Sequence, residues 1–381
     1  MYIHELKSWT DFTWDNEKLS PMLAAVRYLQ GRLLGRMESL GFHFTDQATL
    51  ESLILDVVDT SRIEGEILNT EHVRSSIAKK LGLEHSEFIQ TPRHIDGIVD
   101  VILDATQNFE RTLTKERVLG WHHSLFQSGY SGYTLIDVAQ YRTGGMKVIS
   151  GNFGKEKIHF IAPSADKVPL EMDRFLEWIN NDQEHDLVLK ALIAHFWFVT
   201  IHPFDDGNGR IARAILDMIL TRSDQSKIRF YSLSNQIFKE HKEYNKIIET
   251  TQKGDRDITL YLEWFLGCFQ RALLASEQNL ELILDKAQFW DVHRATTVND
   301  RQRFVLNFMY DHYAKELGYL RTSTYAKLVK TSNDTALRDL QDLVVKGMMH
   351  TEGTGKKTNY LVMSPKNLRI PKIIESKSIK R

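Results

Sequence analysis

The stretch Val199–Leu216, "VTIHPFDDGNGRIARAIL", decides how this chain is to be read. Its ends are apolar, as buried helices are, yet between them lie a histidine, two aspartates, two glycines around an asparagine, and two arginines. A glycine-rich loop entering a helix exposes backbone N–H groups with no partner inside the helix, and such a place attracts anions, phosphates above all. Gly207 and Gly209 let the backbone approach a phosphate closely, and Asn208 can hydrogen-bond within the loop. Arg210 and Arg213 are three residues apart, so both project from one face of the first helical turns, where guanidinium forks can clasp phosphate oxygens. Asp206 is the kind of group Mg²⁺ requires, because that ion is held by one or two carboxylates plus substrate oxygens. His202, just before the loop, can accept a proton from an attacking hydroxyl. Such parts suit phosphoryl or nucleotidyl transfer.

Around this stretch the chain reads as mostly helical, with few segments alternating at period two and only seven prolines. "DLVLKALIAHFWFVT" before the loop and "RIARAILDMILT" after it are apolar nearly all round, the mark of central buried helices. A further helix is expected over Leu170–Ile179, and one hairpin over Met146–Ala162, "MKVISGNFGKEKIHFIA", turning at its Gly/Asn/Lys centre. Nearer the start, Leu23, Val26, Leu29, Leu33 and Met37 predict a helix near 20–40. Leu50, Leu53, Ile54, Val57 and Val58 predict a second over 47–63, stopped at Gly65.

Length and composition bound the rest. At 381 residues, with 42% hydrophobic and 26% charged, the chain has room for two or three domains. One cysteine, Cys268, allows no internal disulfide and points to a reducing compartment. The start lacks the n- and h-regions of a signal peptide, and no run reaches the length of a membrane helix, so a cytoplasmic protein without membrane contact is expected. From Arg301 onward there are 16 Lys+Arg against 7 Asp+Glu, whereas the first 300 residues carry 33 against 43. A basic end on an acidic body suggests two modules with different partners. In the basic part, "RQRFVLNFMYDHYAKELG" reads as an amphipathic helix ending at Gly318. Thr322 is expected to cap a second helix, and Ser332 a third, which has Leu337, Leu340, Leu343 and Val344 on one face and stops at Gly347. A hairpin turning at 353–357 follows, and three helices with a hairpin make a winged helix-turn-helix pattern.

The motif "HPFDDGNGRIAR" resembles the signature of the Fic-domain family, His-x-Phe-x-Asp/Glu-Gly-Asn-Gly-Arg-x-x-Arg, at every specified position. The likeness extends over roughly 98–274, taking in the apolar helix before it, the hairpin upstream and "KEYNKIIETTQKGDRDITLYLEWFLGCF" downstream. It implies a mainly α fold: a Fic-type helical core with a small β-hairpin flap, plus the winged helix-turn-helix domain. The expected boundaries are 1–97 for an N-terminal helical region, 98–275 for the core, 276–300 for a connecting helix, 301–365 for the winged helix and 366–381 for a basic tail. It also implies Mg²⁺-dependent transfer of AMP from ATP to a Tyr, Thr or Ser hydroxyl of a protein target. By position, His202 would be the base, Asp206 would hold Mg²⁺, Gly207, Asn208 and Gly209 would form the anion hole, and Arg210 and Arg213 would bind the triphosphate. Val148, Ile149, Ile158 and Phe160 of the hairpin would dock an extended target segment by strand pairing.

"TSRIEG", residues 60–65, resembles the family's inhibitory motif, Ser/Thr-x-x-x-Glu-Gly/Asn. Thr60 and Glu64 are four apart and share a helical face. Glu64, delivered beside the anion hole and followed by Gly65, would compete with a phosphate for Arg213 and act as a brake. The resemblance leaves open whether the reverse reaction, removal of AMP, dominates, and whether the protein modifies itself or forms a homodimer that tunes the brake. The rival reading is a DNA-binding regulator in which the core senses nucleotide, with Lys327, Lys330, Arg338, Lys356 and Lys357 on duplex phosphates; the winged helix could equally serve a protein partner. His195, on the buried helix, reads as a core histidine, the His122–His123 pair lacks metal-site spacing, and Trp9, Phe12 and Trp14 read as packing anchors.

Overall fold

The computed structural model describes residues 1–38, 42–83, 89–151, 157–310, 318–355 and 358–363, and divides after Ser276 into two units. In the first unit, helices α1 (Asn16–Glu38), α2 (Phe42–Ile63), α3 (Thr70–Leu81), α4 (Arg93–Gln107) and α5 (Lys115–Leu125) lead to two small antiparallel hairpins. These are β1 (Tyr130–Ser131) with β2 (Thr134–Leu135), and β3 (Lys147–Ser150) with β4 (Lys157–Ile161). Then come α6 (Val168–Asn181), α7 (Leu187–Ile201), α8 (Asn208–Asp224), α9 (Leu233–Lys239), α10 (His241–Gln252) and the long α11 (Thr259–Val292), which runs past the division.

The centre of this unit is α7 packed along α8. Every residue of α7 from Val188 to Ile201 is buried, as its all-round apolar sequence requires. Asp186 caps it by accepting from the Val188 N–H at 2.8 Å. The N-terminal segment closes over this helix: Trp9 and Phe12 pack on Trp197, Phe12 also on Phe196, and the Trp9 indole donates to Glu171 at 3.1 Å. Helix α2 lies against α9, α3 and α4 and has a polar buried face, Asp56, Asp59, Thr60 and Ser61, where amphipathic helices normally place only apolar groups.

The second unit holds α12 (Asp300–Phe308), α13 (Thr322–Leu328), α14 (Asn333–Val345) and the hairpin β5 (Met349–Glu352) with β6 (Asn359–Val362). Val305, Leu306, Leu320, Tyr325, Leu340, Leu343 and Met348 form its core. Two details depart from expectation. Arg321, not Thr322, is the N-cap of α13 and it makes no side-chain cap bond, so Thr322 is the first helical residue. Leu337 is exposed, and Ala336 takes its place in the core of α14. Ser332 and Gly347 do cap and stop that helix. Lys356, Lys357 and the basic tail lie outside the described residues. Among the described residues no helix is long and apolar enough to cross a membrane.

Candidate active site

The loop between α7 and α8 is bracketed by two left-handed residues. His202 closes α7 at φ 52°, and Gly207 opens α8 at φ 81°. A non-glycine residue in that region costs about 1–3 kcal/mol and persists only when its surroundings over-determine it. The buried Arg142 does so here. Its Nε donates to the His202 carbonyl at 2.8 Å, its Nη1 to Gly144 O at 2.8 Å and its Nη2 to Pro163 O at 2.5 Å. At Gly207 a Cβ would come within 2.8 Å of the Phe126 ring, so the position needs glycine for both φ and space. Asn208 fastens the loop from within: its Oδ1 accepts from Phe204 N at 3.0 Å and its Nδ2 donates to Phe204 O at 2.8 Å.

His202 Nδ1 lies 3.2 Å from Val199 O. A carbonyl can only accept, so Nδ1 carries the proton and Nε2 offers its lone pair. Burial holds this imidazole below the usual histidine pKa, against the opposing hydrogen bond to Val199, so it is neutral at pH 7. Asp206 receives the Ser131 hydroxyl on one oxygen and the Gly207 N–H on the other. His122 supports the same residue: Ala139 N donates to its Nδ1 at 3.1 Å, which leaves Nε2 as the donor to Asp206 O at 3.2 Å, and its ring stacks on Phe204 at 4.1 Å. Burial pushes the His122 pKa down to about 4, consistent with a neutral structural ring. Among the described residues no three His, Cys, Asp or Glu converge on a metal position. Asp206, whose side chain is partly exposed, is a single carboxylate of the kind that a cation shares with a ligand's own oxygens.

The two arginines face the residues that end α2. Arg213, almost wholly buried, donates from Nε to Thr60 Oγ1 at 2.7 Å and from Nη2 to Thr60 O and Glu64 Oε1, both at 2.8 Å. Glu64 also lies against the first turn of α8, where a Cβ on Gly209 would sit 2.1 Å from Glu64 Oε1. The carboxylate thus occupies the helix N-terminus as an anion would. Gly65 follows in the left-handed region at φ 82° and turns the chain at the end of α2. Arg210 pairs with Glu66 at 3.2 Å, lies 3.8 Å from Asp206 and stacks over Phe126 at 5.0 Å.

Helix α2 is rooted by a second, fully buried ionic group. Arg229 Nη2 donates to Asp217 at 2.7 Å and to Asp56 at 3.2 Å, and Ser232 Oγ donates to Asp56 at 2.6 Å. Asn235 holds Asp59 at 2.6 Å. Burial and the nearby Asp217 push the Asp56 carboxyl up to about 8, while Arg229, although buried, is held protonated by Asp217 and Asp56.

In the β3–β4 hairpin, Val148 pairs with Phe160 and Ile149 with Ile158, leaving His159 as a bulged extra residue. The bulge aims His159 at Glu249 of α10, 2.6 Å away, and at Ser150, 2.5 Å away. Val148, Ile149 and Ile158 are exposed. Phe160 is not: it is buried edge-on against Tyr2 and His4, so its side chain anchors the hairpin instead of facing outward. Residues 152–156 at the hairpin tip lie outside the described residues. His195 sits in the core between Tyr261 OH at 2.9 Å and Tyr244 OH at 3.0 Å, with burial lowering its pKa to about 3.

The structure therefore brings together His202, Asp206, Gly207, Asn208, Gly209, Arg210, Arg213, Thr60, Glu64 and Gly65. Sequence reading missed Arg142, His122, Ser131 and Glu66. His122 was weighed only as half of a histidine pair and Glu66 lies just beyond the 60–65 motif, while Arg142 and Ser131 belong to no motif; only the fold shows what each touches.

Residues 112–220 match the Fic/DOC family, and residues 2–83 match a domain of unknown function, DUF4172. Over 239 residues the chain is 24% identical to a protein adenylyltransferase Fic from Culex quinquefasciatus, covering 60% of this chain and 42% of that protein. It is 32% identical over 95 residues to a probable protein adenylyltransferase from Aquifex aeolicus, covering 25% and 27% of the two. The chain thus spans less than half the length of either relative. A Fic family protein from Desulfovibrio desulfuricans has the same fold at TM-score 0.52 and 20% identity, over 90% of this chain and 96% of that one.

Proposed function

This chain is a Fic-domain protein, and from that premise we propose that it transfers AMP from ATP to a Tyr, Thr or Ser hydroxyl of a protein. The observation that carries the reading is the anion cradle at the start of α8: Gly207–Gly209 and the two arginines beside a neutral His202. His202 Nε2 takes the proton of the target hydroxyl as its oxygen attacks the α-phosphorus. The new O–P bond forms as the bond to pyrophosphate breaks. Arg210, Arg213 and the first N–H groups of α8 hold the phosphate charge. Asp206 would hold Mg²⁺, which neutralises charge on the phosphates when bound. The exposed edge of β3, with Val148 and Ile149, would take the target by strand pairing, and Ile158 would lie beside it.

On this reading Glu64 is the brake, because a phosphate and its carboxylate compete for Arg213. Transfer of α-labelled ATP onto protein should rise about 10- to 100-fold in Glu64→Gly, the range expected for a coupling of a few kcal/mol. Equal labelling of the wild type and this variant would end the brake assignment. The pH profile tests the base. Since the His202 pKa lies below the usual 6.5 and its neutral form accepts the proton, the rate in Glu64→Gly should climb with pH along a limb below about 6.5 and be flat through pH 7–8. A limb above neutrality would assign the proton to another group. The helices and hairpin of the second unit would serve as a winged helix for targeting. Arg338 at an exposed edge of α14 keeps the DNA-binding alternative in view, and steep loss of duplex affinity with salt is its signature.

A further inference from the structure

The fold sets a second carboxylate on the cradle besides Glu64. Glu64 and Glu66 are separated only by Gly65, whose left-handed φ of 82° lets both turn back toward α8. There they meet Arg213 and Arg210, which stand one helical turn apart: Glu64 on Arg213 at 2.8 Å, Glu66 on Arg210 at 3.2 Å. The Arg210 side chain is only 11% exposed, is stacked on Phe126, and has its Nε buried without a partner. A cation so far withdrawn from water needs an anion, and its other carboxylate neighbour, Asp206, is 3.8 Å away and already engaged by Ser131 and Gly207.

We propose that Glu66 is a second latch, occupying Arg210 as Glu64 occupies Arg213, so that a polyphosphate must displace two carboxylates to be seated. The inference rests on the nucleotide-transfer reading of the same cradle. Each carboxylate stands in for one phosphate of the incoming chain. Inorganic phosphate, which needs only one arginine, should feel one latch, whereas ATP and inorganic tripolyphosphate should feel both.

The test is calorimetric binding of ATP and of tripolyphosphate to the full chain, with His202→Ala present throughout so that nothing turns over. Four proteins are compared: Glu64 and Glu66 intact, Glu66→Ala, Glu64→Gly, and the double variant. Removing Glu66 should tighten polyphosphate binding about three- to tenfold in both backgrounds, the scale of a partly exposed ion pair on a buried arginine. Glu66→Gln, which keeps the size and removes the charge, should reproduce most of that gain; a merely structural residue would not. If Glu64→Gly tightens binding while Glu66→Ala and Glu66→Gln shift it by less than about twofold or weaken it, the second latch is wrong and the nucleotide reading stands. If no variant binds ATP or tripolyphosphate, both readings fall.

Discussion

In a Glu64→Gly background, His202→Ala should lower AMP transfer by about 10²- to 10⁴-fold, the usual contribution of a positioned general base. The geometry behind this is specific. Val199 O fixes the tautomer and Arg142 fixes the backbone, so the side chain presents one lone pair in one direction. No other histidine described near the loop can substitute, because both ring nitrogens of His122 are taken by Ala139 N and Asp206 O, and both of His195 by tyrosines. Nucleotide binding should change little, since His202 is not among the phosphate-holding groups. Labelled transfer together with ATP binding checks this. Loss of both in parallel would mean that the substitution had disturbed the loop and would withdraw the assignment of base.

The second large effect concerns stability. Arg229→Ala should destabilise the chain by about 3–5 kcal/mol in denaturant unfolding, because it leaves two fully buried carboxylates without their common cation. Asp56→Asn should cost less, because Asp217 still compensates Arg229 at 2.7 Å and the amide oxygen can still accept one of the two hydrogen bonds that Asp56 receives. If the two substitutions cost the same, the Arg229 group is not organised around charge compensation.

How much of this was legible beforehand follows from how local each signal is. The signature at 202–213 packs base, anion loop and two arginines into twelve residues, and α7 and α8 declare their burial by an apolar face all round. Thr60 and Glu64 were singled out by the resemblance of "TSRIEG" to the family's inhibitory motif, to which their spacing of one helical turn only adds. Glu66 was not, since its meeting with Arg210 depends on a left-handed Gly65 and on docking across 144 positions of sequence. Phe160 was misjudged because period two assigns alternate faces but does not reveal that Tyr2 and His4, far away in sequence, cover one of them. Arg142 left no sign at all: its partners are backbone carbonyls, which no sequence pattern displays.

The bracketing of the loop by His202 and Gly207 has a further consequence for how the molecule opens. Those two turns are held between the most deeply buried helices, so disturbing them means opening the core itself. The 64–66 turn ends its helix on a glycine with open space around it and a half-exposed Glu66. Regions like the first exchange their amide hydrogens only through near-global unfolding, and regions like the second through cheap local fluctuations. Warmth or mild denaturant therefore reaches the restraint before it reaches the chemistry. A population of intact but unrestrained molecules is expected below the melting transition, so that the proposed control would be softer than the machinery it controls.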